Sequence, residues 1–159
     1  MSRVAPRASR LIVGIGNPSR GDDALGPLAI EALEILSLPA VELLSDFQLQ
    51  VEFVLDLEGR EEVIFIDASV AGDAPYVFAA IAPREDASFS SHALSPAALL
   101  AAYERHFAKP APPARVLAIR AHGFELGAPL SPDAQVNLSA ALQCLTGYLG
   151  HTATLQNIP

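Results

Sequence analysis

Short apolar runs alternate along the chain with longer segments in which apolar residues recur every three or four positions. The runs predict five strands: "LIVGIG" (11–16), "PAVELLSD" (39–46), "EVIFIDA" (62–68), "YVFAAIA" (76–82) and "RVLAIRA" (115–121). The segments with helical spacing predict four helices, at about 23–36, 50–59, 95–107 and 132–149. Strands and helices therefore alternate, except that "EVIFIDA" and "YVFAAIA" follow one another with only a turn between them.

Prolines and caps indicate where the predicted helices begin. Pro27 is tolerated only in the first turn of a helix, so the first helix must start near Asp22 or Asp23. Ser95-Pro96 and Ser131-Pro132 each combine a capping side chain with a proline at the first helical position.

This order predicts a single α/β domain, with an approximately five-stranded, mostly parallel twisted sheet covered by helices on both faces. We expect the domain to span residues 11–150, with a short lead at 1–10 and a tail at 151–159. The turn between "EVIFIDA" and "YVFAAIA" is short enough for that pair to be antiparallel. In such sheets the binding crevice lies at the carboxyl ends of the strands.

Composition excludes several classes of partner. The 159 residues are 51% hydrophobic and 18% charged, which is typical of a globular protein. A formal net charge of −8 disfavours nucleic acid and anionic membranes, and no apolar stretch approaches the ~20 residues of a membrane span. The single cysteine, Cys144, lies in an apolar helical pattern, so we expect a small buried side chain and a reducing cytoplasm.

The segment "GIGNPSRGDD" (14–23) starts like a phosphate-binding loop but departs from each template where phosphate would bind. Ser19 replaces the final glycine of a dinucleotide fingerprint, and Asp22-Asp23 replace the Lys-Ser/Thr of a P-loop. A nucleotide-binding domain is therefore a weak alternative. Two aspartates at a helix start either both cap the helix, or one caps while the other projects into the crevice.

A second acidic residue, Asp67, follows the apolar run "VIFI" at the predicted carboxyl edge. It either accepts backbone N–H bonds in the next turn, or it is paired with a cation or another carboxyl group. His92, in the loop "SSHALSP", and His122, after the fifth strand, are the histidines nearest this edge. His106, near a helix end, and His151, in the tail, are better explained as incidental residues.

Two aspartates and a histidine would form an open site for a borderline divalent metal. Nucleophilic and zinc hydrolase motifs are absent: the sequence has neither G-x-S-x-G nor H-E-x-x-H, and Cys144 has no histidine nearby.

"LIVGIGNPSRGDDALGPLAIEAL", "VIFIDAS" and "SSHALSP" together resemble the [NiFe]-hydrogenase maturation endopeptidases. That family's pattern is G-x-G-N-x4-D-[DE]-x-x-G, followed by an Asp that ends a central strand and a His in a later loop. "DFQLQVEFVLDLEG" and "FELGAPLSPDAQVNL" resemble most closely the branch that serves NAD-reducing, bidirectional hydrogenases.

The resemblance implies a hydrolase that removes a C-terminal extension from the hydrogenase large-subunit precursor after nickel insertion. Nickel would arrive on the substrate, and no permanently bound cofactor is expected. Carried over by motif, the catalytic and metal-contacting residues are Asp23, Asp67 and His92, with Asp22 in a supporting role. We expect a cytoplasmic monomer.

The same resemblance gives Gly16, Asn17 and Asp46 as substrate-binding residues, with one departure from the family pattern. Many members carry a glycine-rich stretch with an acidic residue after the second strand, where this chain has Ser45-Asp46-Phe47-Gln48. A different class of function, a checkpoint that senses nickel without cutting, stays open as the main alternative.

Overall fold

Strands and helices alternate as predicted in the computed structural model, which describes residues 7–86 and 94–151. The strands are β1 (Arg10–Ile15), β2 (Val41–Asp46), β3 (Glu62–Ser69), β4 (Tyr76–Ile81) and β5 (Ala114–Arg120). The helices are α1 (Leu25–Ile35), α2 (Val54–Leu57), α3 (Pro96–Phe107) and α4 (Pro132–Tyr148). Short 3-10 turns, Gly21–Ala24 and Val51–Phe53, lead into α1 and α2.

The five strands form one sheet in the order β2-β1-β3-β5-β4. β1 is parallel to both β2 and β3, and β3 is parallel to β5. Because β2 and β3 lie on opposite sides of β1, the strand order reverses at β1, which is where open α/β sheets form their binding crevice. The predicted single α/β domain with a mostly parallel sheet is confirmed.

The antiparallel strand was predicted correctly, but its neighbour was not. β4 pairs with β5 and not with β3, because β5 inserts between them, with Val63 opposite Ala114 and Tyr76 opposite Ile119. β5 thus takes an interior place and β4 the edge: Leu117 of β5 is fully buried, whereas Val77 of β4 is exposed.

Two further predictions differ at their ends. β3 continues two residues past Asp67, because Ala68 and Ser69 pair with β5. The helix predicted at 50–59 is only a 3-10 turn followed by the four-residue α2. It stops where Glu58 becomes extended and its carboxylate accepts a hydrogen bond from the Tyr103 hydroxyl on α3 at 2.7 Å.

The core has two halves, one on each face of the sheet. Ile64 and Ile66 of β3 pack in the half that also contains residues of α1 and α4, whereas Val63 and Phe65 pack with residues of α2 and α3. This division follows from the two-residue period of a strand, which sends successive side chains to opposite faces. Cys144, expected to be buried, is only partly buried.

Ser95 and Ser131 cap α3 and α4 as predicted, accepting the backbone N–H groups of Ala98 at 3.1 Å and Ala134 at 3.3 Å. Within the described ranges, no helix is long and apolar enough to cross a membrane.

Candidate functional site

The first turn of α1 lies directly on the carboxyl ends of β1 and β3. A Cβ atom on Gly26 would stand 2.8 Å from the Ile66 carbonyl oxygen and would also collide with Ile15. A Cβ atom on Gly14 of β1 would likewise overlap the Gly26 carbonyl oxygen. Glycine at 26 therefore lets the helix approach both strands, which brings Asp23 to the point where the strand order reverses.

The loop between β1 and α1 wraps around Asp23. Gly16 has a φ of +145°, which only glycine adopts readily, and a Cβ atom there would overlap the Asp23 carbonyl oxygen. The next residue, Asn17, donates its backbone N–H to the Asp23 carboxylate at 2.8 Å. The N–H that could have faced a phosphate is thus bonded to a carboxylate, which argues further against a nucleotide site.

Asp67 lies in a costly place for a negative charge. Burial, with a smaller contribution from the charge of Asp23, raises its pKa to about 7 against the opposing hydrogen bond from the Ala68 backbone N–H. A divalent cation between the carboxyl groups of Asp67 and Asp23 would offset the charge of Asp23 that acts on Asp67. The two carboxyl groups therefore fit a divalent metal ion.

His92, the predicted third member of the site, lies outside the described residues. Among residues 7–86 and 94–151, no three His, Cys, Asp or Glu side chains stand close enough to hold a metal ion. Leu94 donates its backbone N–H to the carbonyl of Leu49 at 3.4 Å, and Ser95 donates to the Asp86 carboxylate at 2.8 Å. The roles of Asp23, Asp67 and His92 stay predictions.

Asp22 does not cap its own helix, nor does its side chain share the environment of Asp67. It is 1% exposed, and its carboxylate accepts four hydrogen bonds from the segment that follows β5. The donors are the backbone N–H groups of His122 (2.7 Å), Gly123 (3.2 Å) and Ser131 (2.7 Å) and the Ser131 hydroxyl (2.8 Å).

These bonds decide the charge state of Asp22. Burial alone would raise its pKa, but the bonds from Ser131, His122 and Gly123 outweigh burial, so the pKa lies below its ordinary value. Sequence reasoning missed this arrangement because the partners lie 100 to 109 residues away. Only the Ser131 cap was visible in the sequence, and it marks a helix start rather than a partner for Asp22.

In the part of the chain that the structure describes, the other histidines do not form a metal-binding cluster with the aspartates. His122 follows β5 with an exposed side chain, and its backbone N–H donates to the Asp22 carboxylate. His106 is exposed in the last turn of α3 and packs edge-on against Phe107, with 4.6 Å between ring centroids.

An open cleft of about 250 Å³ lies beside the ends of β1 and β2, lined by Gly16, Pro18, Pro27, Ser45, Asp46 and Phe47. Asp46 is exposed; its carboxylate accepts the Phe47 backbone N–H at 2.7 Å, and its carbonyl accepts the Gly16 N–H at 3.0 Å. Phe47 is 63% exposed. Two of the predicted substrate-binding residues, Gly16 and Asp46, thus share one cleft, and Asn17 follows Gly16 directly.

Several solved structures with the same architecture are hydrogenase maturation proteases. The hydrogenase maturating endopeptidase HybD from E. coli matches with 25% sequence identity and a TM-score of 0.68, over 89% of this chain and 91% of that one. The [NiFe] hydrogenase maturation protease HycI from Thermococcus kodakarensis KOD1 matches with 20% identity and a TM-score of 0.70, over 92% and 96%. The chain has the fold of the hydrogenase maturation endopeptidases.

A third example, the hydrogenase 2 maturation peptidase from Thaumarchaeota archaeon SCGC_AB-539-E09, has 24% identity and a TM-score of 0.64 and covers 90% of this chain and 99% of that one. These maturation endopeptidases and proteases are hydrolases by name, in agreement with the predicted enzyme class. No protein-family model and no curated protein sequence matches the chain. The maturation endopeptidase fold thus supports the family resemblance, whereas the NAD-reducing branch stays a prediction.

Proposed function

We propose that the chain is an endopeptidase that removes the C-terminal extension of a [NiFe]-hydrogenase large-subunit precursor after nickel insertion. The observation that carries this proposal is the convergence of Asp23 and Asp67 at the reversal point of a sheet whose solved neighbours are hydrogenase maturation endopeptidases. The closely packed glycines around Asp23 support it, since they match the family motif residue by residue.

In this proposal nickel belongs to the substrate. The ion, held by the precursor, would contact the carboxylates of Asp23 and Asp67 and the imidazole of His92. Two anionic oxygens offset the charge of the cation, and the repulsion by Asp23, which adds to the effect of burial on the pKa of Asp67, would fall when the ion binds. The site would therefore engage the nickel-loaded precursor more strongly than the empty one.

Nickel bound in this way would fix the scissile peptide bond beside the site, which lowers the entropic part of the barrier. Hydrolysis then requires a water oxygen to attack the carbonyl carbon, one water proton to be removed, and the amide nitrogen to leave with a proton. Asp67 is suited to accept the water proton, because burial of its carboxyl group favours the protonated form. A carboxylate has two oxygens, so metal contact and proton transfer are compatible.

The finer features of the proposal concern the substrate and its location. We place the chain with the proteases of NAD-reducing, bidirectional hydrogenases, as a cytoplasmic monomer. The cleft lined by Gly16, Asp46 and Phe47 would receive the peptide near the scissile bond, with Asn17 beside it. The exposed aromatic ring supplies the apolar contact there, and the acidic chain as a whole suits a neutral or basic partner.

The test is to mix the chain with nickel-loaded precursor and follow the precursor's mass. We expect loss of the C-terminal extension with wild type, no cleavage with Asp23→Asn, Asp67→Asn or His92→Ala, and no change with Glu31→Gln, an exposed carboxyl group on α1. Nickel-free precursor should stay intact. If the wild type leaves loaded precursor intact while a known maturation protease cleaves it, the proposal is wrong. Binding without cleavage would instead favour the nickel-sensing checkpoint.

A further inference from the structure

Asp22 joins the loop that carries Asp23 to a segment from the far end of the chain. Six hydrogen bonds connect residues 19–22 with residues 122–131. Four of them end on the Asp22 carboxylate; the others run from the Asp22 N–H to the Gly123 carbonyl at 2.8 Å and from the Gly127 N–H to the Ser19 carbonyl at 2.7 Å. Without the carboxylate, two of the six remain.

The turn held in this way has no cap of its own. Neither the 3-10 turn Gly21–Ala24 nor the start of α1 receives a side-chain capping hydrogen bond. The segment after β5 replaces that support: Gly123 lies so close that a Cβ atom on Gly21 would stand 2.7 Å from the Gly123 carbonyl oxygen. Asp22 and Gly123 bond each other in both directions, which closes a small ring between the two segments.

Asp23 is the next residue in that turn, and its carboxylate accepts one backbone N–H, that of Asn17. We infer that Asp22 is a positioning residue: its buried carboxylate fixes the backbone from which Asp23 reaches the substrate's nickel. The inference rests on the proposed function for the identity of that ligand. That the backbone at Asp23 is held in place is inferred from the hydrogen bonds between residues 19–22 and 122–131 alone.

Asp22→Asn is the sharpest variant, since it keeps the shape of the side chain. All four groups around the Asp22 oxygens are donors, so an amide NH2 placed there faces at least one donor and cannot accept its hydrogen bond. We expect the Asn17 amide, which reports on the bond to Asp23, to exchange with solvent at least tenfold faster by NMR. Affinity for Ni²⁺ alone, measured by calorimetry, should fall by about tenfold, as is typical when support of a metal-contacting group is lost.

In the cleavage assay the same variant should lower kcat, because Asp23 is misplaced, and should raise the KM for the loaded precursor, because the precursor docks through its nickel. Leu145→Ala is a control that lowers stability without touching Asp22. Leu145 is fully buried in α4 and lies about 20 Å along the helix from Ser131. It should leave Asn17 exchange, Ni²⁺ affinity and kcat unchanged at equal folded fraction. If Asp22→Asn matches Leu145→Ala in all three measurements, Asp22 is merely structural and the inference is wrong.

Ser131→Ala keeps the test decisive if Asp22→Asn fails to fold. It removes one of the four bonds to Asp22 together with the cap of α4, and it should accelerate Asn17 exchange by a smaller factor. Ser95→Ala removes the equivalent cap of α3 without touching Asp22, so Asn17 exchange should not change. Equal effects of the two serine variants would overturn the inference. Exchange is measured without precursor, so this result stands apart from any failure of cleavage.

Discussion

Gly26, in the first turn of α1, packs against the carbonyl of Ile66, the residue before Asp67. A Cβ atom at position 26 would lie 2.8 Å from that oxygen. The contact fixes the distance between the helix that follows Asp23 and the strand that carries Asp67. The separation of the two carboxyl groups thus depends on a position that has no side chain.

Gly26→Ala should therefore destabilise the protein, because the added methyl group must push α1 away from β1 and β3. We expect a loss of about 1–3 kcal/mol in the free energy of unfolding, measured by urea denaturation. Gly147→Ala is the matched control: Gly147 lies in α4 with nothing within 4 Å of an added Cβ atom. That substitution should stabilise by about 0.5–1 kcal/mol. Equal effects at the two positions would contradict the close packing.

The raised pKa of Asp67 predicts how stability depends on pH. A carboxyl group whose pKa rises from 3.8 to about 7 on folding favours the folded state fully below its unfolded pKa. That contribution is lost as the pH rises through 7, where the buried group must ionise. The unfolding free energy of the wild type, measured relative to that of Asp67→Asn, should therefore fall by a few kcal/mol between about pH 4 and about pH 8. Parallel curves for the two proteins would show that Asp67 ionises normally.

The ionisation of Asp67 should also make the affinity for Ni²⁺ depend on pH. Since Ni²⁺ contacts the ionised carboxylate, binding below pH 7 must release the proton of Asp67. Calorimetry with Ni²⁺ and the His92→Ala variant, which removes the competing imidazole titration, should show affinity rising about tenfold per pH unit up to 7 and levelling above it. The slope should vanish in the double variant with Asp67→Asn. A slope that survives there would place the titrating group elsewhere.

Phe47 offers a test of the cleft that does not touch the predicted chemistry. Its ring is 63% exposed and lines the cleft beside Asp46, so Phe47→Ala should change the unfolding free energy by less than about 0.5 kcal/mol. The KM for the loaded precursor should rise several-fold, with kcat unchanged, because the ring would contribute binding alone. Val136→Ala, which truncates a similarly exposed side chain on α4, should leave both constants unchanged. An unaltered KM with Phe47→Ala would remove the cleft from the binding surface.

Local patterns predicted the elements because local forces set them. The proline and serine positions fixed the starts of α3 and α4, and apolar runs located every strand. The neighbour of β4 was mispredicted, because the short turn after β3 says nothing about a strand, β5, that arrives more than thirty residues later. Competition between strands for the buried central place is a property of the whole sheet.

The candidate site divides in the same way. The motif spacing and the β1–α1 connection allowed Asp23 to be placed at the end of β1, and the Asn17 hydrogen bond follows from that tight loop. The role of Asp22 could not be predicted, because the sequence does not show which of two adjacent aspartates has its side chain buried. The difference comes from donors on a distant segment, which hold one carboxylate and leave the other for the crevice.

The bonds between Asp22 and Ser131 join residues that are 109 positions apart. They need the segment after β5 and the start of α4, so the support of Asp23 is incomplete until both have folded. A copy of the chain still emerging from the ribosome, or one whose last helix has come undone, would possess the whole glycine and aspartate motif without its geometry. A protease with the proposed function would then cleave its precursor only after its own chain has folded completely. Peptide hydrolysis is irreversible, so this requirement would prevent premature cleavage.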